Sequence, residues 1–153
     1  MGNFFDAGDR AELDARLKDL TPDHAGSWRR MSPHQAVCHL ADSFMAVLGD
    51  RALTSPRVPW YVRTAFARFA ALTLPLPWPK GVPTAPEMDQ ENGGTTPEDF
   101  ERDRARLEAA MERFAARGGE GLEPQVVFGE LSVGEWGRWG YRHTDHHLRQ
   151  FDV

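Results

Sequence analysis

The chain has 153 residues, of which 41% are hydrophobic and 27% are charged, a composition typical of one globular domain spanning residues 1–153. Its 18 lysines and arginines are outnumbered by 23 aspartates and glutamates, and a net charge of −5 argues against a protein that binds nucleic acid. The single cysteine, Cys38, excludes an internal disulfide and a cysteine-rich zinc site. The N-terminus lacks a signal-peptide pattern, and the most apolar stretch, residues 58–78, contains two arginines and three prolines. We therefore expect a cytoplasmic protein without a membrane partner.

Five amphipathic helices and no strand are predicted. The first covers residues 9–20, where leucines recur at helical spacing before Thr21-Pro22 ends the pattern. The second begins with Ser32-Pro33-His34-Gln35, which is a capping box with proline at the first helical position. Its apolar stripe predicts that it extends to about Arg51.

The third helix is predicted over residues 60–74, with Val62, Phe66 and Phe69 on its apolar face. A long proline-rich segment, residues 75–95, separates it from the fourth helix. A loop of this length in a compact domain is usually functional or disordered. We interpret it as a packed loop that shapes a pocket, with a plain surface crossover as the alternative.

The last two helices also carry clear start and stop signals. The fourth is predicted to begin with the cap Thr96-Pro97 and to end at Gly118-Gly119. The fifth is predicted to begin with a second capping box at residues 132–135 and to continue to about Phe151. The order of elements predicts an all-α fold.

The fifth helix carries three of the six histidines, His143, His146 and His147, within five residues. His143 and His147 are one helical turn apart, so both imidazoles lie on one face, as in zinc-protease helices. Burying two neighbouring imidazoles costs free energy unless a metal or a hydrogen-bond network satisfies them, so both readings stay open. The same face carries mostly apolar or small residues: Trp136, Gly140, Gln150 and Phe151.

A mononuclear site needs a third ligand, and His39 in the second helix is the candidate. It lies about 130° from the centre of the apolar stripe of that helix, among small or polar residues. This position suits either a cavity wall or a solvent-facing side. His24 and His34 lie in or beside the preceding loop, and we expect them at the surface.

The segments Met31–Asp42 and His143–Phe151 together resemble the DinB-like, or YfiT-like, superfamily of metalloenzymes, and the likeness extends from Trp28 to the last residue. The resemblance implies an up-down-down-up four-helix bundle, with an additional short helix and a proline-rich crossover loop. It also implies a divalent metal held by three histidines, one from the second helix and two from a His-x-x-x-His pattern on the last. Nickel or zinc is implied most often, with iron and manganese as further candidates. The ligands carried over are His39, His143 and His147.

Three protein ligands leave one position open, which is typical of a catalytic site. Because characterised relatives include thiol-dependent transferases and isomerases, the resemblance implies transfer chemistry with a low-molecular-weight thiol on a small-molecule substrate. Metal-assisted hydrolysis stands beside it. Asp42 and Gln150 are candidates for hydrogen bonds to the ligands, although a solvated helix acid is the plainer reading of Asp42. His146 is an additional candidate ligand, and Trp136 and Trp139 are candidate pocket residues.

Two other classes of function remain open. The first is a non-enzymatic bundle that binds a small ligand between Trp136, Trp139 and the proline-rich loop, with structural histidines. The second is a stress-linked protein that acts as a homodimer through Trp60 and Tyr61, two residues that core packing explains equally well. A nucleophilic pair of Cys38 with the adjacent histidine is not expected, because successive helical residues point about 100° apart.

Overall fold

The computed structural model describes residues 2–26, 31–54, 60–79 and 84–153, and within these ranges the chain forms five α-helices and no β-strand. The predicted all-α class is therefore confirmed. None of the described helices is long and apolar enough to cross a membrane. The helices are α1 (Ala7–Asp19), α2 (Pro33–Val47), α3 (Ala65–Thr73), α4 (Phe100–Arg117) and α5 (Val133–Leu148). Three short 3-10 turns accompany them, at Trp60–Arg63, Pro86–Met88 and Arg149–Phe151.

The core lies where α2 packs against α4 and α5, with α1 and α3 packed on α5. Phe44 and Phe114 meet there, and Phe4, which precedes α1, inserts its ring 5.4 Å from each of them. The backbone N–H of Phe4 donates to the carbonyl of Gly137 at 2.8 Å. A side chain at Gly140 would place its Cβ only 3.1 Å from Phe4, so glycine permits this close approach. The N-terminal residues are thus fastened to α5.

The start of α2 is where the sequence predicts it, whereas its end is earlier. The hydroxyl of Ser32 accepts the Gln35 N–H at 3.1 Å, and the Gln35 amide oxygen accepts the Ser32 N–H at 2.9 Å. The helix ends at Val47, and the predicted extension to Arg51 is wrong. Gly49 adopts a φ of 84°, a left-handed conformation that terminates helices and that glycine reaches without steric cost.

The predicted third helix is divided in two at Thr64. Its hydroxyl accepts the Ala67 N–H at 3.2 Å and so begins α3 after a separate 3-10 turn. The predicted apolar face is wrong, because Phe66 is 76% exposed and Phe69 is 51% exposed, while Leu72 is buried. Periodicity identifies residues that share a face, but it does not tell whether another element covers that face.

The start of α4 is also later than predicted. Its cap is Asp99, whose carboxylate accepts a backbone N–H of the first turn at 2.8 Å, rather than Thr96. The cause lies just upstream, where the N–H and hydroxyl of Thr95 donate to Asp42 at 2.8 and 2.7 Å. These bonds hold the segment against α2, so the chain enters the helix only beyond it.

Candidate metal centre

Three histidines from two helices converge at one point. His39 comes from α2, whereas His143 and His147 come from α5, and one ring nitrogen of each lies within 4.8 Å of the other two. The Nε2 atoms of His39 and His143 are 3.3 Å apart. The three residues are only 6%, 9% and 7% exposed. Of the two positions that the sequence left open for His39, the buried one is therefore correct.

Hydrogen bonds orient two of the three rings. Nδ1 of His39 lies 2.7 Å from the carbonyl oxygen of Met88. A carbonyl only accepts, so Nδ1 carries the proton and Nε2 keeps its lone pair. Nδ1 of His147 faces the amide oxygen of Gln150 at 3.4 Å, which favours the same tautomer. Metal-ligating histidines are usually oriented through their second nitrogen in this way.

The electrostatics of this histidine cluster favour neutral imidazoles. Burial lowers the pKa of His39 and lowers the pKa of His143 and His147 much further. Repulsion by the neighbouring histidines adds to the lowering at the two α5 positions. Neutral imidazole is the form that binds a metal, so at neutral pH the cluster is in its binding form.

The spacing of the ring nitrogens in the cluster fits a divalent ion. Metal–nitrogen bonds of about 2.0–2.1 Å in a tetrahedral site place two ligand nitrogens roughly 3.3 Å apart. The observed separation between His39 and His143 is 3.3 Å. Nδ1 of His143 is buried and has no hydrogen-bond partner among the described residues, so this ring, unlike the other two, is not oriented through its second nitrogen.

The surroundings of Asp42 differ from both sequence interpretations. The residue is fully buried, so it is not a solvated helix acid. The hydrogen bond to His39 that the sequence suggested for it is made instead by the carbonyl of Met88. Asp42 fastens the segment that follows this carbonyl to α2 and so acts on His39 indirectly. Its carboxylate accepts hydrogen bonds from Arg51 (3.1 Å), Gln90 (3.0 Å) and Thr95 (2.8 and 2.7 Å).

A cavity of about 1240 Å³ opens onto the histidine cluster. Trp139 and His146 line it, whereas Trp136 lies behind it in the core, 5.5 Å from the Trp139 ring. The ring of Trp78 lies 5.9 Å from both His143 and His146. Alanines on the inner side of α3 complete part of the wall: Ala67, Ala70 and Ala71.

Sequence reasoning did not assign three residues that shape this site. Met88 acts through its backbone carbonyl, which leaves no side-chain signature in the sequence. Trp78 lies in the long loop, where no periodicity indicates a direction. Arg142 lies on the charged side of α5, yet its guanidinium donates to the carbonyls of Leu74 and Leu76 and lies 5.8 Å from the Trp78 ring.

His146 packs its ring 5.2 Å from that of His147, whereas His24, His34 and Cys38 lie outside the histidine cluster. His34 is not the surface residue that we expected, because its Nε2 lies 2.8 Å from the buried carboxylate of Asp103. Burial, aided by the Asp103 charge, raises the pKa of the neighbouring Cys38 thiol to about 12. The thiol therefore stays protonated and unreactive at neutral pH. His24 is half-buried and accepts the Thr21 N–H at 3.0 Å.

Comparison with known proteins gives one result. A sequence model of the DinB superfamily matches residues 7–151, which include all five helices and the three histidines of the cluster. No curated protein and no solved structure matches the chain. Because the match covers nearly the whole chain, the protein belongs to the DinB superfamily.

Proposed function

We propose that this protein is a divalent-metal-dependent enzyme that acts on a small molecule, with His39, His143 and His147 as the metal ligands. The observation that carries the proposal is the convergence of three buried imidazoles that line a large cavity. Such a group is costly to bury unless its lone pairs have a partner. An ion would provide that partner and leave a position open towards the cavity.

The proposed chemistry is transfer that depends on a low-molecular-weight thiol, with hydrolysis as the second reaction class. When bound, the metal, nickel or zinc in this proposal, would supply a Lewis acid that lowers the pKa of a thiol or water. The carbonyl of Met88 and the amide of Gln150 hold two ligand rings in orientation. The rings of Trp78 and Trp139 lie 5.9 and 5.3 Å from that of His143 and give the cavity an aromatic wall beside the cluster.

The arrangement of the helices is part of the same proposal. We take α1, α2, α4 and α5 to form the up-down-down-up bundle of the family, with α3 as the additional short helix. Residues 75–95 would then be the crossover loop, and the hydrogen bond that its Met88 carbonyl accepts from Nδ1 of His39 supports a functional role. Because the ligands come from α2 and α5, a bound ion would also tie these helices together.

The decisive experiment is the metal content of the purified, untagged protein, measured by elemental analysis. We expect about one ion per chain in the parent and none in the His143→Ala/His147→Ala variant. His24→Ala is the matched control, because it removes a histidine outside the cluster and should leave the metal content unchanged. A chelator should lower the melting temperature of the parent and of the control.

Two outcomes would refute the proposal. The first is a parent protein that takes up no metal after reconstitution with nickel, zinc or manganese. The second is a metal-loaded protein that turns over no electrophilic substrate with any thiol, hydrolyses none, and binds its ligand equally well when stripped of metal. That result would favour a non-enzymatic binding protein.

A further inference from the structure

Exposed aromatic residues are concentrated in one segment, residues 60–79, which we call the α3 wall. Among the described residues, every exposed large hydrophobic side chain except Val133 lies in it. Scattered exposed apolar residues are ordinary, but five of them within 17 residues indicate an interaction surface. They are Trp60, Tyr61, Phe66, Phe69 and Leu76.

The two sides of α3 have different neighbours. Ala67, Ala70 and Ala71 line the cavity, so that side is small and faces inward. Phe66 and Phe69 are three residues apart and therefore share the other side, where both are exposed. Phe66 and Phe69 have no cover from the described part of the chain.

The sequence around the wall differs in charge from the remaining chain, and among its described cations Arg51 pairs with Asp42 and Arg68 with Glu135, whereas Arg63 has no ion pair. Residues 51–86 contain no aspartate or glutamate but five cations, whereas the rest of the chain has 13 cations against 23 acids. Arg63 is exposed within the wall. A two-fold dimer formed through this surface would bring Arg63 of one copy towards Arg63 of the other, with no acid of residues 51–86 to offset them. An anionic partner would instead match the surface in both charge and apolarity.

We propose that the α3 wall docks on the surface of an anionic lipid bilayer. Tryptophan, tyrosine and phenylalanine favour the boundary between headgroups and acyl chains, and neighbouring arginines favour anionic headgroups. The expectation of no membrane partner rested on the lack of a spanning segment, which does not bear on a peripheral contact. Docking would place the outer side of α3 in the bilayer surface while its inner side lines the cavity.

The test is flotation of the full-length protein with phosphatidylcholine vesicles, with and without an equal part of phosphatidylglycerol. The protein should bind the anionic vesicles, and binding should fall on the order of tenfold at high salt, where charges are screened. Phe66→Ser/Phe69→Ser should lower the partition coefficient by at least about tenfold. Val133→Ser is the matched control, because it removes an exposed apolar residue elsewhere and should not change binding.

A charge variant separates docking from misfolding. Arg63→Glu keeps the aromatic surface and should still weaken binding to anionic vesicles on the order of tenfold. Circular dichroism and metal content of all variants should match the parent, so failure of the docking proposal is distinguishable from failure of the metal site. Absence of binding to anionic vesicles, or equal binding to neutral ones, would overturn the proposal. The proposal would also be overturned if the parent were dimeric by light scattering and did not bind vesicles, while the Phe66→Ser/Phe69→Ser variant were monomeric.

Discussion

The two sides of the cavity are built in different ways. Its floor consists of α2 and α5, and 12 of the 15 residues of α2 are buried. On the opposite side of the cavity lies α3, where one of nine residues is buried. α2 packs against α4 and α5, whereas the main helical neighbours of α3 in the described part of the chain are α5 and the adjacent 3-10 turn. The histidines thus lie in the part of the molecule with the most core packing, while the wall beside them has almost none.

Apart from the buried Leu72, the wall is joined to the rest of the molecule by arginine side chains that donate to backbone carbonyls. Arg142 donates to the carbonyls of Leu74 and Leu76, and Arg68 donates to the carbonyl of Glu130. Exposed hydrogen bonds with little apolar burial are typical of segments that open locally at low free energy. The three clustered histidines are therefore held by the packed core, whereas the wall beside them is held partly by arginine contacts.

The largest effect is expected from Asp42→Ala, which removes the buried acceptor that fastens residues 90–95 to the floor. Removing one partner of a buried ion pair typically costs about 3–5 kcal/mol, and Arg51 is left without its carboxylate. Urea unfolding measures the loss. Asp50→Ala, which breaks an ion pair at the surface, is the control and should have a much smaller effect. Equal losses in the two variants would contradict the distinction.

The next effect tests the close packing of the floor. Gly140→Ala should destabilise by about 1–3 kcal/mol, because its Cβ would lie 2.9 Å from the Phe114 ring and 3.1 Å from Phe4. Gly134→Ala lies on the same helix, and its Cβ would meet only the end of the Arg138 side chain, at 3.5 Å. That control should be neutral or stabilising by up to about 1 kcal/mol, from higher helix propensity. Thermal unfolding of both variants is the measurement, and a stable Gly140→Ala protein would be inconsistent with a tight floor.

Protonation of the three clustered histidines should lower the free energy of unfolding of the metal-free protein. The pKa values of the three clustered histidines are lowered by folding, so below about pH 6.5 the unfolded chain binds more protons than the folded one. The stability they contribute is complete above that pH and is lost as the pH falls, by up to about 1.4 kcal/mol per pH unit for each histidine. Unfolding in urea from about pH 7 to pH 5 measures the slope. His143→Ala should make it shallower, and a pH-independent parent would exclude neutral buried imidazoles.

The smallest effect on global stability is expected in the wall. Arg142→Gln removes the donors that hold the carbonyls of Leu74 and Leu76, so α3 should open more often while the floor stays intact. Hydrogen exchange of α3 amides should accelerate on the order of tenfold, with a global loss below about 1 kcal/mol. Arg149→Gln, an exposed arginine farther along the chain, is the control. If the amides of α2 and α3 showed the same acceleration of hydrogen exchange, the two sides of the cavity would not open independently.

Much of the fold follows from local patterns. The capping boxes at Ser32 and Ser132 predict where α2 and α5 begin, and the leucine spacing of α1 predicts its buried face, although α1 begins at Ala7, two residues before the predicted start. These patterns work because caps and periodicity are short-range properties of the backbone. They fail for α3 and for the start of α4, where a distant carboxylate, Asp42, or the lack of a covering element decides the outcome.

The histidine site also depends partly on local sequence spacing and partly on tertiary packing. The spacing of His143 and His147 by itself places two imidazoles on one helix face, since four residues make about one turn. The periodicity of α2 does not tell in which direction His39 points. The family resemblance implied that His39 meets His143 and His147, and the packing of α2 on α5 decides it. Only the tertiary structure brings the Met88 carbonyl to His39 across 49 residues. A backbone acceptor has no sequence signature, so contacts of this kind emerge only when distant segments pack together.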